Sequence, residues 1–187
     1  VWLDRKLQPI GRQCPSFIAS SLDLLKYIKE LPPLPPTVRF VTADAVSMYT
    51  NIETEHCQTV LRRVLNEQER AALAIMMKYT YFRFSDCYRR QKDGIPMGSP
   101  PACMLATIYF SKHEHHLLRE FREFIFLFKR LIDDVILLWY FGKQNATTEF
   151  ERFCNVLNTF GKLRWEVSEP AERINFLDLK LTIFDEK

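Results

Sequence analysis

The sequence predicts an α+β fold in which an antiparallel sheet carries helices on one face. Short apolar runs with β-branched residues are interspersed with longer segments whose apolar residues recur at helical spacing. Two of these runs, 125–131 and 135–140, are separated by little more than Asp133-Asp134, which predicts a tight hairpin. The resulting order, β-α-α-β-β-α-β-β-α-β-β, is typical of a sheet with its helices in a second layer.

In the first part of the chain, apolar spacing predicts a helix from about Phe17 to about Glu30. The proline-rich segment 31–36 ends this helix. It could be a polyproline ligand for a partner, but we favour a stiff connector. Residues 38–43 are apolar and partly β-branched, so we predict a buried strand that ends at Asp44.

The middle of the chain predicts a turn, two helices and a hairpin. The turn lies at Thr50-Asn51, and the helices follow at about 54–65 and 67–79, with Asn66 as the expected cap of the second. Apolar and polar residues alternate in 81–91 on both sides of a Ser-Asp pair, which predicts the hairpin.

The last part begins with a loop rich in glycine and proline at 94–100, which opens a long helix at about 102–121. The phenylalanines of 121–128 are interpreted as core rather than as a platform for base stacking. A helix at about 148–160 and strands near 163–167 and 175–183 complete the predicted fold.

Composition limits the function classes. The 187 residues suffice for one domain, and the net charge of +3 is compatible with a nucleic-acid partner without proving one. The five cysteines are scattered without a CxxC pair, which argues against a disulfide framework or a zinc site and favours a reducing compartment. No apolar run approaches the length that spans a bilayer. Because the chain begins at Val1 and shows no signal peptide, we expect an internal piece of a longer protein.

The adjacent carboxylates of Asp133 and Asp134 lie between two hydrophobic runs. Burying an ionised carboxylate is costly unless a cation compensates it. Neighbouring side chains of a continuous strand point to opposite faces, but at a hairpin tip both can approach the same ions. A solvated turn, whose geometry aspartate favours, explains the pair equally well when the pair is taken alone.

Asp44 strengthens the metal interpretation, because it also follows a hydrophobic run. Three carboxylates from two strand ends are a minimal set for holding two divalent ions roughly 3.5–4 Å apart, as two-metal phosphoryl transfer requires. Hard oxygen ligands favour Mg²⁺, which also takes oxygens from substrate phosphates. We therefore expect two Mg²⁺ ions, with Mn²⁺ as a substitute.

Two further segments contain residues that could take part in binding. The loop 94–100 precedes a helix whose N-terminus favours anions; alone it is an ordinary helix-leading loop, and its place between the acidic segments gives it more weight. The run Lys112-His-Glu-His-His116 invites a metal interpretation, but a third well-placed ligand is lacking, so a solvated helix end is favoured.

Together these motifs resemble those of reverse transcriptases, most closely those of Penelope-like retroelements, which are relatives of telomerase. The resemblance lies in VTADAVSMYTNI, GIPMGSPPACMLATIYF, KRLIDDVILLW and INFLDLKLTIF, in this order and spacing. It spans nearly the whole chain, because WLDRKLQPI and the helix before the prolines also fit. The sequence departs from the family at Leu131, where an aromatic is common, and at Met97, where many retroviral relatives have glutamine.

The resemblance implies a polymerase palm at 37–187 and, at 1–36, a helical segment that joins fingers to palm, with the fingers partial and the thumb absent. It also implies site residues. The catalytic metal ligands would be Asp44, Asp133 and Asp134. Tyr49 would stack under the incoming sugar and exclude a ribose 2′-hydroxyl. The nascent base pair would be shaped by Gly98, Ser99 and Pro100, and Lys162 would approach the pyrophosphate.

Three cations, Arg89, Arg90 and Lys92, precede the glycine loop and could contact a nucleic-acid backbone, although a solvated hairpin explains them nearly as well.

The implied function is RNA-directed DNA synthesis by a retrotransposon enzyme, which takes an RNA template, a DNA primer and deoxynucleoside triphosphates. Further partners would be the fingers, thumb and any endonuclease region of the same polypeptide, without which the fragment should be inactive. No membrane partner is expected, and the expected location is intracellular and nuclear. The alternatives are a domesticated or inactive palm that binds nucleic acid or protein, and a two-metal nuclease or cyclase. The three aspartates favour an enzyme, and Tyr49 favours a deoxynucleotide polymerase.

Overall fold

A computed structural model describes residues 1–184, and residues 185–187, the end of the predicted palm segment, lie outside the described part. The helices are α1 (Trp2–Arg12), α2 (Ser21–Lys29), α3 (Met48–Asn51), α4 (Thr54–Leu61), α5 (Glu67–Lys78), α6 (Ala102–Glu120) and α7 (Ala146–Leu157). The strands are β1 (Val38–Ala45), β2 (Tyr81–Phe84), β3 (Cys87–Arg90), β4 (Ile125–Leu131), β5 (Asp134–Tyr140), β6 (Trp165–Val167), β7 (Arg173–Phe176) and β8 (Leu179–Thr182).

The main sheet has four strands in the order β4-β5-β1-β6, and every neighbouring pair is antiparallel. The predicted antiparallel sheet is therefore confirmed. Strands β4 and β5 form a local hairpin, whereas β1 comes from far earlier in the chain and lies between β5 and β6. The β1–β5 register runs from Val38 opposite Tyr140 to Asp44 opposite Asp134, so the end of β1 meets the tip of the hairpin.

The larger hydrophobic core lies between the sheet and most of the helices. Alternate residues of β1 and β5, such as Val41 and Leu137, point into it. Helix α6 is buried along most of its length, and its Leu105, Tyr109 and Phe110 are fully inaccessible. Because α1, α4 and α7 pack around this central helix, the predicted layer of helices on one face is confirmed.

The opposite face of the sheet carries a smaller core. Phe40 of β1 and Ile136 of β5 pack there with Leu24 of α2 and Phe176 of β7. Helix α2 and the β7–β8 hairpin therefore cover part of the face that the other helices leave open. At the end of this face Asp44 is exposed and Asp134 is half-buried.

Most predicted elements occur, with shifted ends. Asn66 caps α5 through a capping box, in which its side chain accepts from Glu69 N and the Glu69 carboxylate accepts from Asn66 N. The helix predicted from Phe17 begins at Ser21, because the Ser20 hydroxyl accepts from Asp23 N and fixes the start. The segment 175–183, predicted as one strand, is part of the β7–β8 hairpin, which turns at Leu177 with φ +54°.

Helix α1 was not predicted as an individual helix, although residues 1–36 were expected to be helical. Its sequence carries Pro9 in the interior, which usually interrupts a helix. Leu3 and Leu7 are four residues apart and are buried against the core, so packing outweighs the local cost of the proline. None of the helices within residues 1–184 has the length and apolar character needed to cross a membrane.

Candidate active site

Asp44 and Asp134 are direct partners across the β1–β5 ladder. Directly opposed residues of an antiparallel pair project to the same face, so the two carboxylates share one surface. Asp44 lies an even number of positions from Phe40 along β1, and Asp134 lies an even number from Ile136 along β5, so the aspartates point to the same face as these two core residues. This is the face of the sheet that α6 does not cover. The predicted adjacency of the two acidic strands is confirmed.

Asp133 lies in the two-residue turn between β4 and β5. Its carbonyl oxygen accepts a hydrogen bond from Ala45 N at 3.1 Å, which ties the turn to the end of β1. The preceding Ile132 has φ +57°, a left-handed conformation that costs an L-residue about 1–2 kcal/mol and is unusual for a β-branched one. The hairpin thus accepts strain at the point where it presents the first aspartate of the pair.

Desolvation and neighbouring negative charges raise the pKa values of Asp44 and Asp134. Partial desolvation, followed by the negative charges of Asp133 and Glu166, raises the pKa of Asp44. Burial, followed by the charges of Asp133 and Asp44, raises the pKa of Asp134. Such mutual repulsion is what a bound cation would relieve, since opposite charge favours the ionised form.

The chemistry of this donor set fits Mg²⁺. The ligands are hard oxygens, and they reach one surface from two adjacent strands and the turn beside them. Among residues 1–184, no three or more His, Cys, Asp and Glu side chains are gathered closely enough to enclose a metal ion by themselves. Mg²⁺ in phosphoryl-transfer sites takes only one or two carboxylates and completes its shell with water and substrate phosphates, so an open arrangement suits it. The metal site stays a prediction.

An open cleft of about 330 Å³ adjoins Asp44 and Asp134. Its other walls include Glu166 of β6, Ser168 just after this strand, and Asn175 from the β7–β8 hairpin. Glu166 lies directly opposite Asp44 on the β6 side, so a row of acidic residues crosses three strands. Glu166 was not predicted as a site residue, and the available signal was a glutamate between Trp165 and Val167 in an apolar strand.

Tyr49 lies in the short helix α3, just beyond the end of β1, and is half-buried. Its hydroxyl lies 3.4 Å from Cys103 Sγ at the start of α6. Burial first, then the contact with Cys103 and the charge of Asp133, raise the pKa of the Tyr49 phenol. The ring therefore contacts the start of α6 and lies near the charge of Asp133, and its role in excluding a ribose 2′-hydroxyl stays a prediction.

The glycine loop packs directly on the Tyr49 turn. Ile95 N donates to the Tyr49 carbonyl oxygen at 2.7 Å, and a Cβ on Gly94 would lie 2.9 Å from the same oxygen. Asp93 accepts from Thr54 N and Gly94 N, and these bonds lower its pKa against the opposing effect of partial burial.

The three loop residues predicted to contact substrate occupy the outer end of this loop. Gly98 has φ +78°, and a Cβ there would meet nothing within 4 Å, so its backbone faces open space. The Ser99 hydroxyl donates to the Pro96 carbonyl and fixes the turn, and Pro100 is exposed next to it. The position agrees with an accessible surface, and the substrate contacts stay predictions.

Lys162 lies in the loop after α7 and pairs with Glu53 at 2.6 Å. The hydrogen bond to Glu53 raises the pKa of Lys162, and the charge of Asp93 adds to the effect. The lysine is thus anchored beside the start of α4 and the glycine loop. Its approach to a pyrophosphate group stays a prediction.

Arg89, Arg90 and Lys92 belong to the β2–β3 hairpin and the residues after it, and all are exposed. Their neighbours Phe84 and Tyr88 are exposed as well, by 73% and 75%. The hairpin is therefore a basic and aromatic surface.

The prediction of a solvated helix end at 112–116 was wrong for His113 and Glu114, which are buried. Glu114 is buried and pairs with Arg130, and His113 is buried with Nε2 2.8 Å from the Val156 carbonyl oxygen. Burial lowers the pKa of His113, and its ring stacks on Phe160. These partners lie on other elements, so local polarity could not reveal them.

The sequence matches no protein-family model and no curated protein. Apo telomerase from Candida tropicalis, truncated from its C-terminal domain, has a similar fold, with 14% identity and a TM-score of 0.69 over 97% of this chain and 42% of that chain. Telomerase from Candida albicans, in complex with a TWJ fragment of telomeric RNA, has 13% identity and a TM-score of 0.73 over 97% of this chain and 36% of that chain. BmCPV RNA-dependent RNA polymerase at its elongation state has 14% identity and a TM-score of 0.69 over 97% of this chain and 19% of that chain.

The chain thus spans less than half the length of the telomerase chains that it matches. At such low identity the similarity concerns the fold. The antiparallel sheet and the helices on one face belong to the same architecture as these polymerases. The chain therefore has the fold of a polymerase palm.

Proposed function

We propose that this chain is the catalytic palm of a reverse transcriptase, an RNA-directed DNA polymerase that adds deoxynucleotides to a primer 3′-hydroxyl. The observation that carries the proposal is that Asp44 lies directly opposite Asp134 in the β1–β5 ladder, with Asp133 in the adjoining turn. A solvated turn would account for the aspartate pair alone, but it gives no reason for a third aspartate directly across the sheet. The motif resemblance further suggests a Penelope-like retroelement as the source.

Each predicted site residue has a role in this proposal. Asp44, Asp133 and Asp134 would hold two Mg²⁺ ions, which when bound would activate the attacking oxygen and stabilise the leaving oxygen. Tyr49 restricts the space beside the sugar. Gly98 exposes backbone to the nascent base pair, with Ser99 and Pro100 fixing the path of the loop.

The remaining predicted residues supply positive charge. Lys162 offers an exposed cation to the departing pyrophosphate and would exchange its bond to Glu53 for one to phosphate. Arg89, Arg90 and Lys92 would neutralise phosphates of the template–primer, which contributes affinity that falls with salt. RNA template, DNA primer, deoxynucleotides and the rest of the polypeptide are thus the proposed partners, in an intracellular and nuclear setting.

The test is primer extension by the intact protein on RNA and DNA templates with Mg²⁺. We expect Asp133→Asn to lower extension by roughly 100-fold or more, because a preorganised electrostatic element is lost. Primer–template binding, measured by fluorescence anisotropy, should stay within about 2-fold, since the phosphate contacts are elsewhere. Asp86→Asn, at the exposed tip of the β2–β3 hairpin, is the matched control. Extension that survives in Asp133→Asn would show that the carboxylates do not serve catalysis.

A further inference from the structure

The turn that carries Asp133 is held from behind by a buried ion pair. The side chains of Arg130 and Glu114 are 0% and 2% exposed, and Arg130 Nε donates to Glu114 Oε1 at 2.5 Å. Arg130 belongs to β4 and Glu114 to α6, so the pair joins the sheet to its central helix. A buried charge is tolerated only when it is paired and its hydrogen bonds are satisfied.

The guanidinium of Arg130 makes three directed contacts. Nε binds Glu114, Nη2 donates to the Thr107 carbonyl oxygen at 2.9 Å, and Nη1 donates to the Ile132 carbonyl oxygen at 2.6 Å. The other carboxylate oxygen of Glu114 accepts from the Ser16 hydroxyl. Such a planar fork cannot rotate without breaking several bonds at once, so it is a rigid support.

The bond to Ile132 determines the orientation of Asp133. The Ile132 carbonyl belongs to the peptide group that leads into Asp133, and Arg130 holds it. The Asp133 carbonyl belongs to the next peptide group, and Ala45 N holds that one at 3.1 Å. Asp133 therefore lies between two fixed peptide planes, and one of them is fixed against the unfavourable φ of +57° at Ile132.

We infer that Arg130, kept in place by Glu114 and Ser16, is a positioning residue that orients Asp133 toward the shared surface of the acidic residues. Arg130 acts through the backbone of the turn and does not touch substrate. The catalytic role of Asp133 in this inference rests on the proposed function. The support of Asp133 by Arg130 does not depend on it. It also links the site to the segment before α2, because Arg130 N donates to the Ser16 carbonyl oxygen at 2.7 Å.

Lys129 provides a matched control. It is the neighbouring residue of β4 and is also mostly buried. Its Nζ donates to the Pro15 carbonyl oxygen at 2.8 Å and lies over the Tyr27 ring, so it binds the same N-terminal segment as Arg130. None of its hydrogen bonds goes to the aspartate turn within the described residues. Lys129→Met therefore removes a buried cation without removing the support of Ile132.

The experiment compares hydrogen exchange at Ala45 in the intact wild-type protein, Arg130→Lys and Lys129→Met. Lysine keeps the charge but cannot bind Glu114, Thr107 and Ile132 together. We expect the Ala45 amide to exchange on the order of 10-fold faster in Arg130→Lys, and at the wild-type rate in Lys129→Met. An Ala45 amide that exchanges equally in all three proteins would overturn the inference.

A double variant separates positioning from a purely structural role. Glycine adopts positive φ without cost, so Ile132→Gly should keep the turn geometry without external support. Arg130→Lys should then accelerate Ala45 exchange clearly less in the Ile132→Gly background than in the wild type. If Arg130 only joined helix to strand, the effect would be the same in both backgrounds, and the inference would fail.

Two further readouts complete the design. If Arg130→Lys does not fold, Glu114→Gln takes its place, because it removes the charge that fixes the guanidinium; wild-type exchange at Ala45 in that variant would contradict the inference. In primer extension by Arg130→Lys, kcat should fall roughly 10-fold to 100-fold below the wild-type value, with KM for the deoxynucleotide nearly unchanged. If the wild-type protein extends no primer, the proposed function fails, while the exchange comparison still decides the role of Arg130.

Discussion

Asp44 stands directly opposite Asp134 in the β1–β5 ladder, with Glu166 facing Asp44 from the other side. Like charges that oppose each other across a sheet destabilise it, typically by about 0.2–1 kcal/mol for a pair. The protein keeps this arrangement at a sheet end that the second hydrophobic core leaves uncovered. Stability at this end is thus lower than the pairing of the strands alone would give.

The first prediction concerns pH. The pKa of Asp134 is raised in the folded protein, so its contribution to stability is fully present below the unfolded value near 3.8 and is lost as pH rises through the folded value. Without divalent ions, Asp134→Asn should therefore raise the free energy of unfolding at pH 7 by roughly 0.2–1 kcal/mol. The gain should shrink as the pH is lowered toward 4, as urea titrations at several pH values would measure. A variant that is less stable than the wild type at pH 7 would contradict the repulsion.

The second prediction concerns magnesium. An ion that binds only the folded state stabilises it in proportion to the logarithm of its concentration above the dissociation constant. Millimolar Mg²⁺ should therefore raise the Tm of the wild-type protein, and raise it less in Asp134→Asn. Sodium chloride at matched ionic strength controls for general screening. Equal shifts in both proteins would place the Mg²⁺ effect elsewhere.

The third prediction compares two glycines of the same loop. Both have positive φ, +87° at Gly94 and +78° at Gly98, but only Gly94 has no room for a Cβ. Gly98→Ala should cost about 1–2 kcal/mol of stability from backbone strain alone. Gly94→Ala should cost roughly 1–3 kcal/mol more, because the Tyr49 carbonyl and Thr50 would have to move. Denaturant titration measures both, and equal costs would show that the loop does not rest on the Tyr49 turn.

The fourth prediction concerns sugar selection by Tyr49. In the intact protein Tyr49→Ala should admit ribonucleotides, while incorporation of deoxynucleotides falls less. Tyr49→Phe keeps the ring and loses only the contact with Cys103, so it should keep the discrimination. The measurement is the ratio of kcat/KM for the two sugars.

A structural tyrosine would give a different outcome. Its truncation would cost no more than about 3–5 kcal/mol of stability and leave the sugar ratio unchanged. Unfolding titrations of Tyr49→Ala therefore accompany the kinetics. A wild-type ratio measured on folded Tyr49→Ala protein would exclude a role in sugar selection.

Local patterns predicted those parts of the fold that depend on neighbouring residues. The capping box at Asn66 lies within four residues, and the strand ends near Asp44 and Asp134 follow from short apolar runs. Local signals also predicted that the aspartates would converge, because a hairpin tip and a strand end are both readable from sequence. Their register, with Asp44 opposite Asp134, depends on the pairing of distant strands and became visible only in the structure.

The residues that the sequence did not reveal depend on distant partners. Glu114 is charged and has charged or polar neighbours, and its burial is explained by its bonds to Arg130 and Ser16, which are distant in the sequence. Glu166 belongs to the acidic row because β6 pairs with β1, and the three-residue length of β6 gives little signal. Pro9 concealed α1, since its cost is local whereas the packing of Leu7 is tertiary.

The order of the strands also has a consequence for folding. Strands β4 and β5 meet across a two-residue turn, so their hairpin, with Asp133 and Asp134, can form within microseconds. Strand β1 reaches β5 only after α3 to α6 have been brought between them, and such long loops close slowly. We therefore expect Asp44 to reach Asp133 and Asp134 only after the hairpin has formed. The repulsion between Asp44 and Asp134 therefore destabilises the folded protein but does not oppose the earlier formation of the β4–β5 hairpin.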